Sequence, residues 1–178
     1  GEIDHLASAG SPWPENPDCI YMGGFGIGPA NPITSFDEEL GLWVRSVVIS
    51  DGTDELVLTI VDGEGYFWDY ASKCDDCGVK QLSADLGDEL GIDASGIIIA
   101  ATHAHSAPDF IGGWGFVPDW YMTQVDETIR RTITDAVAAM EPAVLETGEH
   151  QARPFNRERR DTYRSAEEQQ LTWLRAYV

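Results

Sequence analysis

The run Thr102-His103-Ala104-His105-Ser106-Ala107-Pro108-Asp109 sets two of the chain's four histidines one residue apart. Neutral imidazole is a good ligand for zinc. The pair directly follows Ile97-Ile98-Ile99-Ala100-Ala101, an apolar run that reads as a strand buried on both faces. In open α/β sheets, ligands sit at the carboxyl ends of strands, and the pair falls at such an end. On an extended segment the two side chains of H-x-H point to opposite faces, so they bind one metal equally only if the strand bends. The natural division is one metal ligand and one contact to substrate or transition state. The plainer alternative is two histidines hydrogen-bonded at a strand end. His5, in a loop-rich terminus, and His150, which reads as a solvated strand residue, are poorer candidates.

Other residues have chemistry within reach. Cys74-Asp75-Asp76-Cys77 is a C-x-x-C with no second cysteine or histidine pair at zinc-site spacing, and its acids raise rather than lower a thiol pKa. A structural disulfide is the favoured reading and two thiols the competitor, with Cys19 left over. Asp62, beside Gly63 at a strand end, reads as a turn residue, with support of a histidine as the other possibility. Asp109 either orients a histidine of the motif or caps a turn after Pro108. Arg157 lies in a charged stretch with Arg153, Arg159 and Arg160, as an active-site group or as part of a solvated loop. Trp114, Phe116, Trp120 and Tyr121 line an apolar cleft or join the core.

The elements that must position these residues follow from pattern. Trp43–Ser50 and Glu55–Val61 read as strands joined through Asp51-Gly52, a hairpin. From about Trp68 to Leu90, Val79, Leu82, Leu86 and Leu90 recur at helical spacing, with Gly78 a possible interruption and Gly91 a stop. Ile97–Ala101 is the next strand. A helix is expected over about 118–140, with Val125, Ile129, Ile133 and Val137 on one face and Pro142 as its stop. Val144–Gln151 and Leu171–Val178 are further strand candidates. The order of strands and helices gives an α/β fold, a layered mixed β-sheet with flanking helices built on βαβ units. Residues 1–35 form a loop-rich N-terminal segment, and 36–178 the α/β portion. The Gly26-Ile27-Gly28 of the first segment lacks the strand and helix of a dinucleotide site.

Four stretches together resemble the neutral (non-lysosomal) ceramidase family. Residues Ala101–Pro108 look like its T-H-T-H-S-G/A-P signature. Met22-Gly23-Gly24 resembles its M-G-Y segment, and Gly41–Val48 its G-x-x-x-R-A-x-x strand. Asn156-Arg157 falls where the family carries an N-R pair. The resemblance implies that His103 is a zinc ligand, that His105 faces the substrate beside the Zn2+ ion, and that Arg157 is an active-site arginine. It implies cleavage of an amide (N-acyl) bond by metal-activated water, in a small-molecule or lipid amide substrate. Ala104 stands where the family has Thr, and Ala107-Pro108-Asp109 replaces a glycine-rich continuation, the pattern of a divergent branch.

A hydrolytic zinc takes about three protein ligands. By the same resemblance, the others lie downstream of Val178. The expectation is therefore that the α/β portion is incomplete at its C-terminus. A second polypeptide, either the C-terminal product of the same precursor or a partner subunit, then completes the site. A non-catalytic exported binding domain of the same fold, and an ester or lactone hydrolase, are the alternatives. The net charge of -20 argues against nucleic acid and anionic membrane as partners, and no apolar run approaches the length of a transmembrane segment. Acidity and a disulfide together suggest a secreted, periplasmic or extracellular protein.

Overall fold

The computed structural model describes residues 19–24, 31–33, 35, 37, 39–70, 74, 77–151 and 170–178. The chain divides into two units, Gly1–Met140 and Glu141–Val178. The fold is α/β.

In the first unit, β1 (Val44–Ser50) and β2 (Glu55–Val61) pair antiparallel, Val44 opposite Val61 and Ser50 opposite Glu55. The turn between them is held by Asp51, whose carboxylate accepts from the amides of Thr53 (2.8 Å) and Asp54 (3.0 Å), with Gly52 at φ 91°. Helix α1 (Val79–Leu90) then crosses over, and β3 (Ile97–Ala101) pairs parallel with β2, from Val57 opposite Ile97 to Val61 opposite Ala101. This is the expected βαβ unit. Gly91 closes α1 in the left-handed conformation at φ 72°.

Helix α2 (Asp119–Ala138) buries Tyr121, Met122, Val125, Ile129 and Ile133, a stripe at helical spacing. It packs mainly against β1, and α1 packs against β3. Leu82 and Leu86 from α1 join Val44, Val57, Val61, Ile97 and Ile99 from the sheet in one core. Each fully buried Leu or Ile contributes roughly 1.5–3 kcal/mol of hydrophobic stabilisation.

Two expectations need correction. The helix begins at Val79, not near Trp68. Gly78 has φ 109°, and the first amides of the helix donate backwards, from Val79 to the Phe67 carbonyl (3.0 Å) and from Lys80 to that of Trp68 (2.9 Å). The folded-back segment occupies the place of another helical turn, so the cysteines precede the helix. Cys74 and Cys77 form a disulfide, as favoured, and the buried Cys19 thiol contacts the Ile20 carbonyl. Second, β3 is not covered on both faces within the described residues of this unit. Ile97 and Ile99 face the helices, whereas Ile98 is 48% exposed beside the exposed Val47 and Ile60.

In the second unit, β4 (Val144–Gln151) and β5 (Gln170–Tyr177) pair antiparallel, Val144 opposite Tyr177 and Gln151 opposite Gln170. Both expected strands are present. Among the described residues no helix is long and apolar enough to cross a membrane.

Candidate active site

Because β2 and β3 run parallel and end level, at Val61 and Ala101, the loops leaving them are neighbours. The pairing extends past the strands. The Thr102 amide donates to the Val61 carbonyl and the Ala104 amide to that of Gly63, both at 3.0 Å. Between those two bonds His103 takes φ 58°, a left-handed conformation unusual for a residue with a side chain. The strand therefore bends at the motif, and the two rings do not diverge. Their centroids lie 5.0 Å apart, edge to face.

Both rings turn to one residue of the other loop, Glu64. His103 Nδ1 is 2.6 Å from the Glu64 main-chain oxygen, and His105 Nδ1 is 3.0 Å from Glu64 Oε1. The first contact is a hydrogen bond. The second is an ion-pair approach in which the ring nitrogen meets the carboxylate obliquely. The Glu64 side chain is 1% exposed. Its pKa is raised by burial above all, an effect that the neighbouring His105 opposes and Asp109 reinforces. Glu64 was not among the candidates read from sequence. The available signal was an acid within Asp62-Gly63-Glu64-Gly65, directly after a strand.

The segment that the resemblance singled out as Met22-Gly23-Gly24 lies against the far side of the motif. The Gly23 amide donates to the Ala107 carbonyl (3.0 Å), and the Asp109 amide to that of Tyr21 (2.8 Å). A Cβ on Gly23 would collide with the Glu64 carboxylate, and one on Gly24 with the Trp114 indole nitrogen, 2.7 Å away. Trp114 in turn stands edge-on to His105, with centroids 6.5 Å apart.

The remaining candidates separate. Asp62 does not reach a histidine: its Oδ2 accepts from the Trp43 amide (3.0 Å) and the Arg45 guanidinium (3.2 Å), fastening the start of β1 to the end of β2. Asp109, fully buried, folds the aromatic loop around its carboxylate. Oδ1 accepts from the amides of Ile111 and Gly112, and Oδ2 from those of Trp114 and Phe116, at 2.7–3.0 Å. Of the aromatic residues, Tyr121 is core, Phe116 is partly buried against it, Trp120 is 39% exposed and Trp114 stands beside His105. His150 is exposed on β4, opposite Leu171. Arg157 and His5 lie outside the described residues.

A cavity of about 800 Å³ opens beside the motif. Ser106, Ala107 and Pro108 form one wall, with Ile20, Met22, Ile33, Leu40 and Leu42 contributing apolar surface and Asp37 and Glu39 acidic groups.

A histidine that donates from Nδ1 to an oxygen presents Nε2 as its basic atom, the usual arrangement of a histidine that ligates metal. His103 has that arrangement, so its chemistry fits zinc. Among the described residues, no group of three or more metal-binding side chains is assembled. His103 thus fits as one ligand of a metal site that the described residues do not complete.

The fold and the paired histidines define an α/β protein with a candidate site at the carboxyl ends of two parallel strands. No family model and no curated protein matches the chain. A solved structure described as "Ceramidase complexed with C2" is similar to it, with a TM-score of 0.66 at 20% identity. The match covers 89% of this chain and 27% of that one, so this chain spans little more than a quarter of the protein it resembles. The fold is ceramidase-like.

Proposed function

We propose that this chain forms part of a zinc-dependent hydrolase that cleaves amide (N-acyl) bonds. The observation that carries the reading is the bend at His103, which brings both histidines of the motif to the mouth of two parallel strands. The ceramidase-like fold supports it.

A bound zinc ion would supply Lewis acidity and an activated water. His103 offers Nε2 as a ligand, its ring orientation set by the bond from Nδ1 to the Glu64 carbonyl. His105, with Nδ1 against a carboxylate, exchanges a proton at Nε2, first with the attacking water and then with the leaving amine. Arg157 is assigned to the developing negative charge on the substrate carbonyl oxygen. The cavity beside Ser106–Pro108 is assigned to the acyl part of the substrate, on the apolar side chains of Ile20, Met22, Ile33, Leu40 and Leu42 that line it. The remaining ligands are assigned to polypeptide outside the described residues, in a second chain of the same precursor or a partner subunit. The Cys74–Cys77 disulfide and the acidic composition favour an exported protein.

The test is turnover of an N-acyl p-nitroanilide and its matched p-nitrophenyl ester by the full protein, with metal content measured alongside. Replacing His105 with Ala is expected to lower amide turnover by about two orders of magnitude with zinc retained. Replacing His103 is expected to lower the zinc content itself. Full amide turnover without either histidine refutes the reading, and turnover of the ester alone moves it to an esterase.

A further inference from the structure

We infer that Trp114 is the specificity-determining residue on the amine side of the site, its indole the surface on which a flat, aromatic N-substituent of the amide packs. The inference rests on the reading of His105 as the group beside the leaving amine.

The reasoning starts from the loop that carries it. Phe110–Val117 holds three aromatic side chains, and two of them have an evident structural task. Phe110 belongs to the core, and Phe116 packs against it. Trp114 does neither and is only partly buried. Burial of apolar surface thus accounts for the two phenylalanines and not for the tryptophan. Yet the Trp114 backbone is held from both sides. Its amide donates to Asp109 Oδ2 (2.7 Å), and its carbonyl accepts from the Asn31 amide (3.0 Å). Gly115, at φ 135°, is required where it stands, because a Cβ there would strike the Tyr21 ring. Gly113 and Gly115 also put no side chain next to the indole.

What this loop presents is a fixed aromatic ring beside His105. The two ring centroids lie 6.5 Å apart, with their planes at 78°. Gly24 makes room for the indole, since a Cβ there would lie 2.7 Å from its nitrogen. Two flat rings at nearly a right angle form a corner. An N-substituent on an amide held at His105 enters that corner. A flat ring can lie along one wall while its edge meets the other, the arrangement aromatic groups favour. A puckered saturated ring of the same size is too thick to do both. The acyl part is assigned to the cavity beside Ser106–Pro108, which Trp114 does not line, so the two halves of the substrate are recognised by different groups.

The experiment compares two amides of one acyl chain, the anilide and the cyclohexylamide, as substrates of the full protein. The ratio of their kcat/KM values is measured in the parent and in each variant. Differences in leaving ability then cancel, and so does any general loss of active protein. In Trp114→Ala the preference for the anilide is expected to fall about tenfold or more, the scale of a lost apolar contact. The loss is expected in the anilide KM, with kcat little changed, because the packing is present before and during the reaction. Trp114→Phe, which keeps a flat ring, is expected to retain most of the preference. Should the alanine prevent folding, Trp114→Leu, apolar but not flat, is read in the same way. A ratio within about twofold of the parent's in whichever variant folds overturns the assignment. So does an equal loss on both amides, which reports a displaced loop rather than a missing surface, and so does a phenylalanine variant as unselective as the alanine one. In each of these cases the parent still hydrolyses amides and the hydrolase reading stands. Failure of that reading looks different: the parent cleaves neither amide, and both inferences fall.

Discussion

Asp109 gives the sharpest test of how the loop behind the motif is built. Its carboxylate is fully buried and accepts four amide hydrogen bonds, from Ile111, Gly112, Trp114 and Phe116. Hydrogen bonds to charged groups contribute about 1.5–3 kcal/mol each when buried. These donors are only part-buried, so water can replace some of what is lost, and about 1–1.5 kcal/mol per bond is the appropriate scale. Asp109→Ala should then destabilise the protein by about 4–6 kcal/mol, a large share of the roughly 5–15 kcal/mol that holds a typical domain. Asp109→Asn keeps the shape but turns one acceptor edge into a donor facing two amides. It should cost about 2–3 kcal/mol, with the two disfavoured amides on that edge. Urea unfolding measures the total, and amide hydrogen exchange at positions 111, 112, 114 and 116 shows which bonds were lost. A loss below about 1 kcal/mol for Asp109→Ala, or unchanged protection at all four amides, would refute the argument that this carboxylate organises the loop.

Two further outcomes follow from the packing. Arg130 bonds Asp126 (2.9 Å) and Asp85 (2.8 Å), and burial raises the Asp126 pKa against the lowering effect of Arg130 and Tyr66. Arg130→Gln should cost about 1–3 kcal/mol at pH 7, after allowance for partial exposure. An acid raised in the folded state takes its proton there before it does in the unfolded chain, so the deficit should shrink as pH falls from the raised Asp126 value towards the ordinary carboxylate value near about 4. Urea midpoints at pH 7 and pH 4.5 check the sign, and a deficit that grows on acidification contradicts it. Gly63→Ala would set a methyl 2.5 Å from the Phe110 ring, which is fully buried, so a loss of about 1–3 kcal/mol is expected in thermal unfolding. A neutral result would mean that the loop has more slack than these contacts indicate.

Much of the fold was legible because the determining interactions are local. The β-branched runs of β1, β2 and β3, the Asp51-Gly52 turn and the apolar stripe of α2 each declare themselves within a few residues. Helix α1 was overextended for the opposite reason. What stops it is the return of Phe67 and Trp68 to receive its first amides, a contact with no periodic signature. The three isoleucines of β3 announce burial, but not whether one layer or two supplies it. Ile98 remains 48% exposed in the described unit, though its composition matches that of Ile97 and Ile99. Glu64 is not singled out by sequence because its own loop offers only an acid between two glycines after a strand, which is also an ordinary turn pattern. Its significance comes from the parallel register that sets Val61 opposite Ala101, and register is a property of two segments 40 residues apart.

The motif itself shows where period-two reasoning ends. Alternation of faces holds for extended backbone, and His103 departs from it at φ 58°. A left-handed residue with a side chain costs about 1–2 kcal/mol. Here the surroundings impose it. The amides on either side of His103 are both committed to the extension of β2, one to Val61 and one to Gly63. With those two bonds fixed, the backbone between them turns, and the imidazole meets the Glu64 carbonyl at 2.6 Å, a bond that offsets part of the strain. Strain that persists because neighbours over-determine it concentrates at working parts of proteins. In this chain it does one identifiable thing. It converts a spacing that would have separated two histidines into a pair 5.0 Å apart, each with Nδ1 turned towards Glu64. The order of events runs from strand register to main-chain bonds to a bent backbone, and only then to ring placement, so substitutions that loosen the β2–β3 junction should disperse the pair even where both histidines remain.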